Sequence, residues 1–147
     1  MAEELGVGLL CFIVHRAVEE RVHDALAAAG HTDITLAQSK LLQRINEDGS
    51  RVTELADAAR VTKQTAGYLV EQLEAAGYVE RVPDPRDGRA RLVRLTAHTK
   101  EHVRPIAQRA TEEMEAEWAA HLGKRRFEQL RDALIRLREI TDPYLDA

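Results

Sequence analysis

The sequence predicts a mostly α-helical fold with one small β-hairpin, and three observations support this prediction. Hydrophobic residues recur at three- and four-residue steps in several segments, which is typical of helices with one buried face. Two short segments rich in β-branched residues flank the motif PDPRDGR, whose prolines and glycine favour a hairpin turn. The chain of 147 residues is 44% hydrophobic, with only four prolines and eight glycines, which is sufficient for one helix-rich domain.

The predicted elements follow one another as helices at about 7–28, 36–47, 53–59 and 63–76, strands at 78–82 and 90–95 with a seven-residue loop between them, a helix from residue 96 onward, and a last helix at about 124–144. Gly30 ends the first helix and Gly77 ends the fourth, whose N-cap is Thr62. Pro105 must either kink a long helix or mark its first turn. The last helix carries hydrophobic residues at nearly heptad spacing: Phe127, Leu130, Leu134, Leu137, Ile140 or Thr141, and Tyr144.

The helix at 63–76 has two different faces, which indicate its role. One stripe faces the core: Ala66, Leu69, Val70, Leu73 and Ala76. The other face carries Gln64 and Gly67 or Tyr68, with Lys63 and Thr65 near the N-terminal end. Such side chains can read base edges in a major groove. Two short helices followed by a basic hairpin are the order of a winged helix-turn-helix, whose second helix enters that groove.

The hairpin concentrates positive charge in an acidic chain. The formal net charge is −4, whereas residues 60–100 contain eight lysines and arginines against five acidic residues, a net of +3. Arg86 and Arg89 at the tip suit a narrow minor groove, where the negative potential is strongest. Arg81, Arg91 and Arg94 on the strands suit phosphates or internal carboxylates, and Asp87 can brace a neighbouring arginine. The middle of the chain is therefore the part expected to meet a polyanion.

Residues 52–96, VTELADAARVTKQTAGYLVEQLEAAGYVERVPDPRDGRARLVRLT, resemble the DNA-binding segment of the MarR family of transcriptional regulators, including its DP-x-D-x-R wing and closing LT. The resemblance implies one integrated domain, 1–147, with dimerisation helices at 1–35 and 96–147 around a DNA-binding region at 36–95. It implies a homodimer that represses transcription from a pseudo-palindromic operator and is released by a small molecule or by oxidation. The implied DNA contacts are Lys63, Gln64, Thr65 and Tyr68 in the major groove and Arg89 in the minor groove, and Thr62 is a further candidate DNA-binding residue. Family members often carry a second arginine where this chain has Gly88.

The first helix offers an alternative means of regulation. The stretch LLCFIVH (9–15) resembles the first helix of the peroxide-sensing OhrR branch, in which a cysteine is oxidised. Cys11 is thus a candidate redox sensor, and a protonated His15 one turn later would lower its pKa. The competing interpretation is that Cys11 only packs, as a small hydrophobic residue on a dimerising helix. His15 and Trp118 are candidates for an effector pocket, although the dimer core is an alternative place for Trp118.

Residues 98–102 match the zinc-protease pattern H-x-x-E-H. No acidic third ligand is evident, so we expect neither an enzyme nor a metal or other cofactor, while a zinc-responsive regulator using His98 and His102 remains an alternative. A different class is also open, namely a helical interaction module whose arginines bind an acidic protein. The single cysteine favours a reducing cytoplasm, and the apolar run at 7–14 is too short to span a bilayer.

Overall fold

The computed structural model describes residues 4–143, and the chain divides into two compact units at residues 110 and 111. The elements are α1 (Val7–Ala28), α2 (Leu36–Leu42), α3 (Val52–Ala59), α4 (Lys63–Ala75), β1 (Val79–Asp84), β2 (Asp87–Leu95), a π-helical turn (Thr99–Val103), α5 (Arg104–Leu122) and α6 (Lys124–Thr141). Helices with one antiparallel two-stranded hairpin confirm the predicted fold class. Tyr144, predicted as the last residue of the heptad-like stripe, lies outside the described residues.

The core of the first unit forms where α2, α3 and α4 pack together with the start of β1. Four residues of α4 predicted to face the core are buried: Ala66, Leu69, Val70 and Leu73. Ala76 was predicted to join them, but it is exposed because it caps the C-terminal end of α4 rather than lying within it. The buried stripe fixes the rotation of α4, so its opposite face points to solvent.

The second helix is shorter than predicted. The sequence pattern extends it to Glu47, whereas α2 ends at Leu42. Beyond that point the hydroxyl of Ser50 accepts a hydrogen bond from the backbone N–H of Asn46, and the backbone of Ser50 pairs with Val93 of β2. These contacts draw the chain out of the helix towards the hairpin, which local periodicity cannot indicate.

The hairpin has a much tighter turn than the predicted seven-residue loop. Strand β1 continues to Asp84 and β2 begins at Asp87, with Pro85 and Arg86 between them. The register shifts between Pro83 and Asp84, so β2 carries extra residues opposite that point. A two-stranded ribbon has only edge strands, and it therefore tolerates a proline within β1. The result is a narrow, protruding wing.

Pro105 marks the first turn of α5, one of the two alternatives that its position allows. The π-helical turn Thr99–Val103 lies directly before α5. Proline has no backbone N–H and its ring clashes with the carbonyl four residues earlier. A wider turn upstream of Pro105 relieves this conflict, since π-turns are a usual way to accommodate a disrupted hydrogen-bond ladder.

A buried tyrosine ties the end of α4 to two other parts of the first unit. The hydroxyl of Tyr78 donates to Asp33 at 2.5 Å, and its backbone carbonyl accepts from the hydroxyl of Thr99 at 2.8 Å. Burial, followed by the bond to Asp33, raises the pKa of Tyr78 to about 12. Tyr78 therefore stays protonated at all physiological pH values and acts as a permanent donor.

Replacing Gly49 with alanine is expected to lower the free energy of unfolding by about 1–3 kcal/mol, the usual cost of a strained backbone position. Gly49 has a φ of +109°, and an added Cβ would lie 2.9 Å from the Cβ of Leu92 and 3.3 Å from the carbonyl oxygen of Val93. Gly88→Ala is the matched control, because nothing lies within 4 Å of a Cβ added there. Urea denaturation of both variants measures the difference; equal stabilities would contradict the close packing of Gly49 against β2.

Candidate nucleic-acid interface

The turn between α3 and α4 aims the N-terminal end of α4 at solvent. Arg60 adopts a left-handed conformation with φ of 57° and closes α3. Thr62 then caps α4, because its Oγ1 accepts from the backbone N–H of Thr65 at 3.0 Å and its hydroxyl donates to the side chain of Thr65 at 2.9 Å. The predicted N-cap is confirmed. The side chain of Thr62 is thus engaged within the helix end, and Lys63 and Gln64 project beyond it as exposed residues.

The exposed face of α4 presents polar groups to solvent. Lys63, Gln64 and Thr65 are all exposed, and Tyr68 is 60% exposed. The first three lie at the N-terminal end of α4, and Tyr68 follows Gln64 one turn later, so the structure places the predicted major-groove residues in one part of α4. A helix with this pattern can place several hydrogen-bonding side chains along the edges of adjacent base pairs.

An ion pair between the buried Asp84 and the partly exposed Arg51 fixes the wing to the helix-turn-helix. Oδ2 of Asp84 accepts from Nε and Nη2 of Arg51 at 3.0 and 2.8 Å, and Oδ1 accepts from the backbone N–H of Arg86 at 2.9 Å. The Arg86 bond, followed by the Arg51 bond, lowers the pKa of Asp84, and Asp84 in turn raises the pKa of Arg51. The sequence gives no local signal for this pairing, because Arg51 lies 33 positions from Asp84.

The wing tip is shaped by a second aspartate. Asp87 does contact a neighbouring arginine as predicted, but through the backbone: its Oδ1 accepts from the N–H of Arg89 at 3.1 Å. The side chains of Arg86, Arg89 and Arg91 are exposed, and none of them hydrogen-bonds another side chain within residues 4–143. The wing therefore carries three exposed guanidinium groups, two at its tip and that of Arg91 on β2.

The remaining strand arginines meet carboxylates of the protein itself. Arg81 is only partly exposed, and its Nε lies 3.8 Å from Oε1 of Glu74. Nε of Arg94 donates to Oε1 of Glu80 at 2.7 Å. For Arg81 the structure thus supports the internal-carboxylate alternative, and the cationic surface of the wing consists of Arg86, Arg89 and Arg91.

The stabilising effect of Asp84 is expected to disappear in acid. Its pKa is lowered below the ordinary value of 3.8 by folding, so the ionised form stabilises the folded state above that value. This contribution is lost as pH falls through the folded-state pKa. Asp84→Asn should accordingly lower Tm at neutral pH, and the difference from wild type should shrink as pH falls below about 4. Thermal unfolding followed by circular dichroism between neutral pH and pH values below that point measures it; a constant difference would contradict the assignment.

Two of the candidate regulatory residues lie on α1 and the third lies on α5. Cys11 is exposed on α1. Nε2 of His15, one turn later on α1, lies 3.0 Å from the carboxylate Oε1 of Glu19. Trp118 is half-buried on α5, in the second unit, whereas His15 belongs to the first. An effector pocket built from these residues remains a prediction.

The histidines of the H-x-x-E-H motif lie side by side across the π-helical turn. The ring centroids of His98 and His102 are 5.1 Å apart, with the planes tilted by 46°. Both residues are exposed, and Nε2 of His102 lies 3.9 Å from a carboxylate oxygen of Glu101. Among residues 4–143, no group of three or more histidines, cysteines, aspartates and glutamates is arranged to hold a metal ion.

A family model described as the MarR family matches residues 32–90, from the segment before α2 into β2. Solved structures align with nearly the whole chain. Wild-type MarR from E. coli in its apo form is 25% identical with a TM-score of 0.73, covering 92% of this chain and 98% of that one. The transcriptional regulator Tm0710 from Thermotoga maritima is 29% identical with a TM-score of 0.62, covering 95% of this chain and 96% of that one. The segment 32–90 therefore belongs to the MarR family, and the chain as a whole shares the fold of MarR-type regulators.

MarR-family proteins are transcription regulators and not enzymes, which confirms the predicted functional class. CouR from Rhodococcus jostii RHA1, solved with p-coumaroyl-CoA bound, has a TM-score of 0.69 at 23% identity, over 93% of this chain and 92% of that one. At that identity the likeness concerns the fold alone. No curated protein matches the chain. Among residues 4–143, no helix combines the length and the apolar composition that a membrane span requires.

Proposed function

We propose that this MarR-family regulator is a repressor that binds a pseudo-palindromic DNA operator as a homodimer. The observation that carries the proposal is the pairing of an exposed polar face on α4 with three wing arginines that have no side-chain partner in the described part of the chain. In this proposal α4 enters the major groove with Lys63 and Gln64 leading. Arg89 and Arg86 reach the adjacent minor groove, and Arg91 contacts phosphate.

Two helices support the dimer by leaving their hydrophobic residues uncovered. In α1 every residue up to position 17 is exposed, including Phe12 at 60%. In α6 none of the residues 124–141 is buried, and the hydrophobic ones among them include Leu134 and Leu137. Exposed hydrophobic surface of this extent marks an interaction site. A second copy of the chain is the occupant that fits, because a two-fold dimer supplies the paired reading heads that two half-sites require.

A small molecule would release the operator by changing the distance between the two copies of α4. Half-sites lie about 34–36 Å apart on one face of the duplex, so binding demands that separation. A ligand that favours another separation by about 5 kcal/mol would leave almost no binding-competent dimer. Release by a small molecule is the property that the resemblance to the MarR family implies for this chain.

Selection of binding sites from a random-sequence duplex library tests the proposal. We expect a palindrome to be enriched and the affinity for it to fall steeply with salt. A dimer that neutralises about 6–8 phosphates gives a log–log slope of about −5 to −7. No enrichment, together with binding insensitive to salt, would contradict it and favour a helical module that binds an acidic protein.

A further inference from the structure

Three polar side chains connect the buried part of α2 to the exposed face of α4. Gln38 is only 5% exposed, and its Nε2 donates to Oε1 of Gln72 at 3.1 Å. Nε2 of Gln72 donates in turn to the hydroxyl oxygen of Tyr68 at 3.0 Å. Tyr68 lies at the outer end of this series and is 60% exposed. The series therefore begins in the core and ends on the face proposed to meet DNA.

The direction of these hydrogen bonds is set by the protein backbone. The N–H of Thr35 donates to Oε1 of Gln38 at 3.0 Å, and a backbone N–H can only donate. The amide nitrogen of Gln38 is therefore the group left to face Gln72, and it too can only donate. Gln72 must accept through its oxygen and so presents its nitrogen to Tyr68. The capping bond from the Gln38 N–H to Oγ1 of Thr35, 3.1 Å long, holds the first member in place.

This direction determines what Tyr68 can do. Its oxygen already accepts a hydrogen bond from Gln72, so its own proton remains available to a partner outside the protein. The outside partner that uses this proton is an acceptor. Tyr68 lies one turn beyond Gln64 on the same face of α4, farther from the helix end that leads into the groove. Phosphate oxygens, which are acceptors only, line the groove at that distance and receive half to two-thirds of all protein–DNA hydrogen bonds.

We propose that Gln38 and Gln72 are positioning residues that orient Tyr68 to donate a hydrogen bond to a DNA phosphate oxygen. The inference rests on the proposed DNA-binding function and extends it by assigning the chemistry of one contact. It also assigns a function to two glutamines that themselves need not touch DNA. Gln38 acts from the core, through Gln72.

A double-mutant cycle between positions 68 and 72 tests the inference in the full-length protein. Tyr68→Phe should weaken binding about tenfold, the lower range for loss of a hydrogen bond to a charged group. Gln72→Glu should have a similar effect, because a carboxylate accepts the tyrosine proton and removes it from the DNA. In a protein that already carries Tyr68→Phe, Gln72→Glu should weaken DNA binding only through the repulsion between its negative charge and the DNA. The loss in the double variant should therefore be smaller than the sum of the two single losses.

The probes are fluorescent duplexes carrying the selected palindrome and random-sequence duplexes of equal length. A phosphate contact predicts that Tyr68→Phe weakens both by the same factor, with Tm unchanged. Additive losses, or wild-type affinity in Tyr68→Phe, would overturn the inference, and a loss confined to the palindrome would replace the phosphate with a base edge. Wild-type protein that binds neither probe would instead refute the proposed function itself.

Discussion

Replacing Leu134 and Leu137 with glutamate is expected to yield a monomer whose affinity for a palindromic operator is about 100- to 10,000-fold lower, the usual size of an avidity effect. These side chains are 46% and 45% exposed on α6, which has no buried residue between positions 124 and 141. An amphipathic helix whose hydrophobic side chains remain this exposed in the described part of its chain requires a partner surface. Carboxylates placed in that surface would lose their hydration when two copies associate. The free energy of this desolvation is larger than the stabilisation that the apolar contacts give.

Analytical ultracentrifugation measures the change in mass, and fluorescence anisotropy with the selected palindrome measures the affinity. The matched control is Arg125→Gln with Arg136→Gln, which makes the net charge more negative by the same amount. At 100° per residue these arginines lie on the side of α6 opposite Leu134. The control should remain dimeric. A Leu134→Glu, Leu137→Glu protein that also remained dimeric would show that α6 is not part of the interface.

Hydrophobic periodicity and capping residues correctly predicted those elements whose ends depend on residues nearby in the sequence. The first helix was expected at Val7 to Ala28, and α1 has those bounds. The cap at Thr62 and the buried stripe of α4 were also predicted from the sequence, because capping and helical periodicity depend on residues within one or two turns. These features were sufficient to identify the winged helix-turn-helix, and they set which face of α4 is exposed.

Contacts between distant residues were beyond the reach of the sequence pattern. Arg51 and Asp84 pair across 33 positions and thereby join α3 to the wing, and Gln38 reaches Gln72 across 34. Neither pairing follows from spacing, since many polar residues in the chain would serve equally well. The wing turn was misjudged for a related reason. Asp84 accepts the N–H of Arg86 and allows a tight turn where the composition suggested a long loop.

Replacing both Arg86 and Arg89 with alanine is expected to weaken DNA binding about 100- to 1,000-fold at low salt, because a dimer loses four cations from the two wings. The log–log salt slope should become shallower by about 3–4, since each lost phosphate neutralisation contributes about 0.9. The wing should keep its shape, because both residues contribute backbone N–H groups to Asp84 and Asp87, and alanine retains them. An unchanged Tm in thermal unfolding would verify this.

Arg125→Ala with Arg126→Ala is the control for charge, because it removes the same number of cations from the exposed start of α6. If binding depended only on the overall charge of the protein, both pairs would weaken it equally. A contact made by the wing predicts that only the Arg86 and Arg89 pair does so. Because such contacts carry little base information, the loss should be similar for every duplex sequence, whereas Gln64→Ala should change which sequence is preferred. If instead the wing variant changed the preferred sequence and Gln64→Ala weakened binding to every duplex, the wing would read the bases and α4 would bind the phosphates.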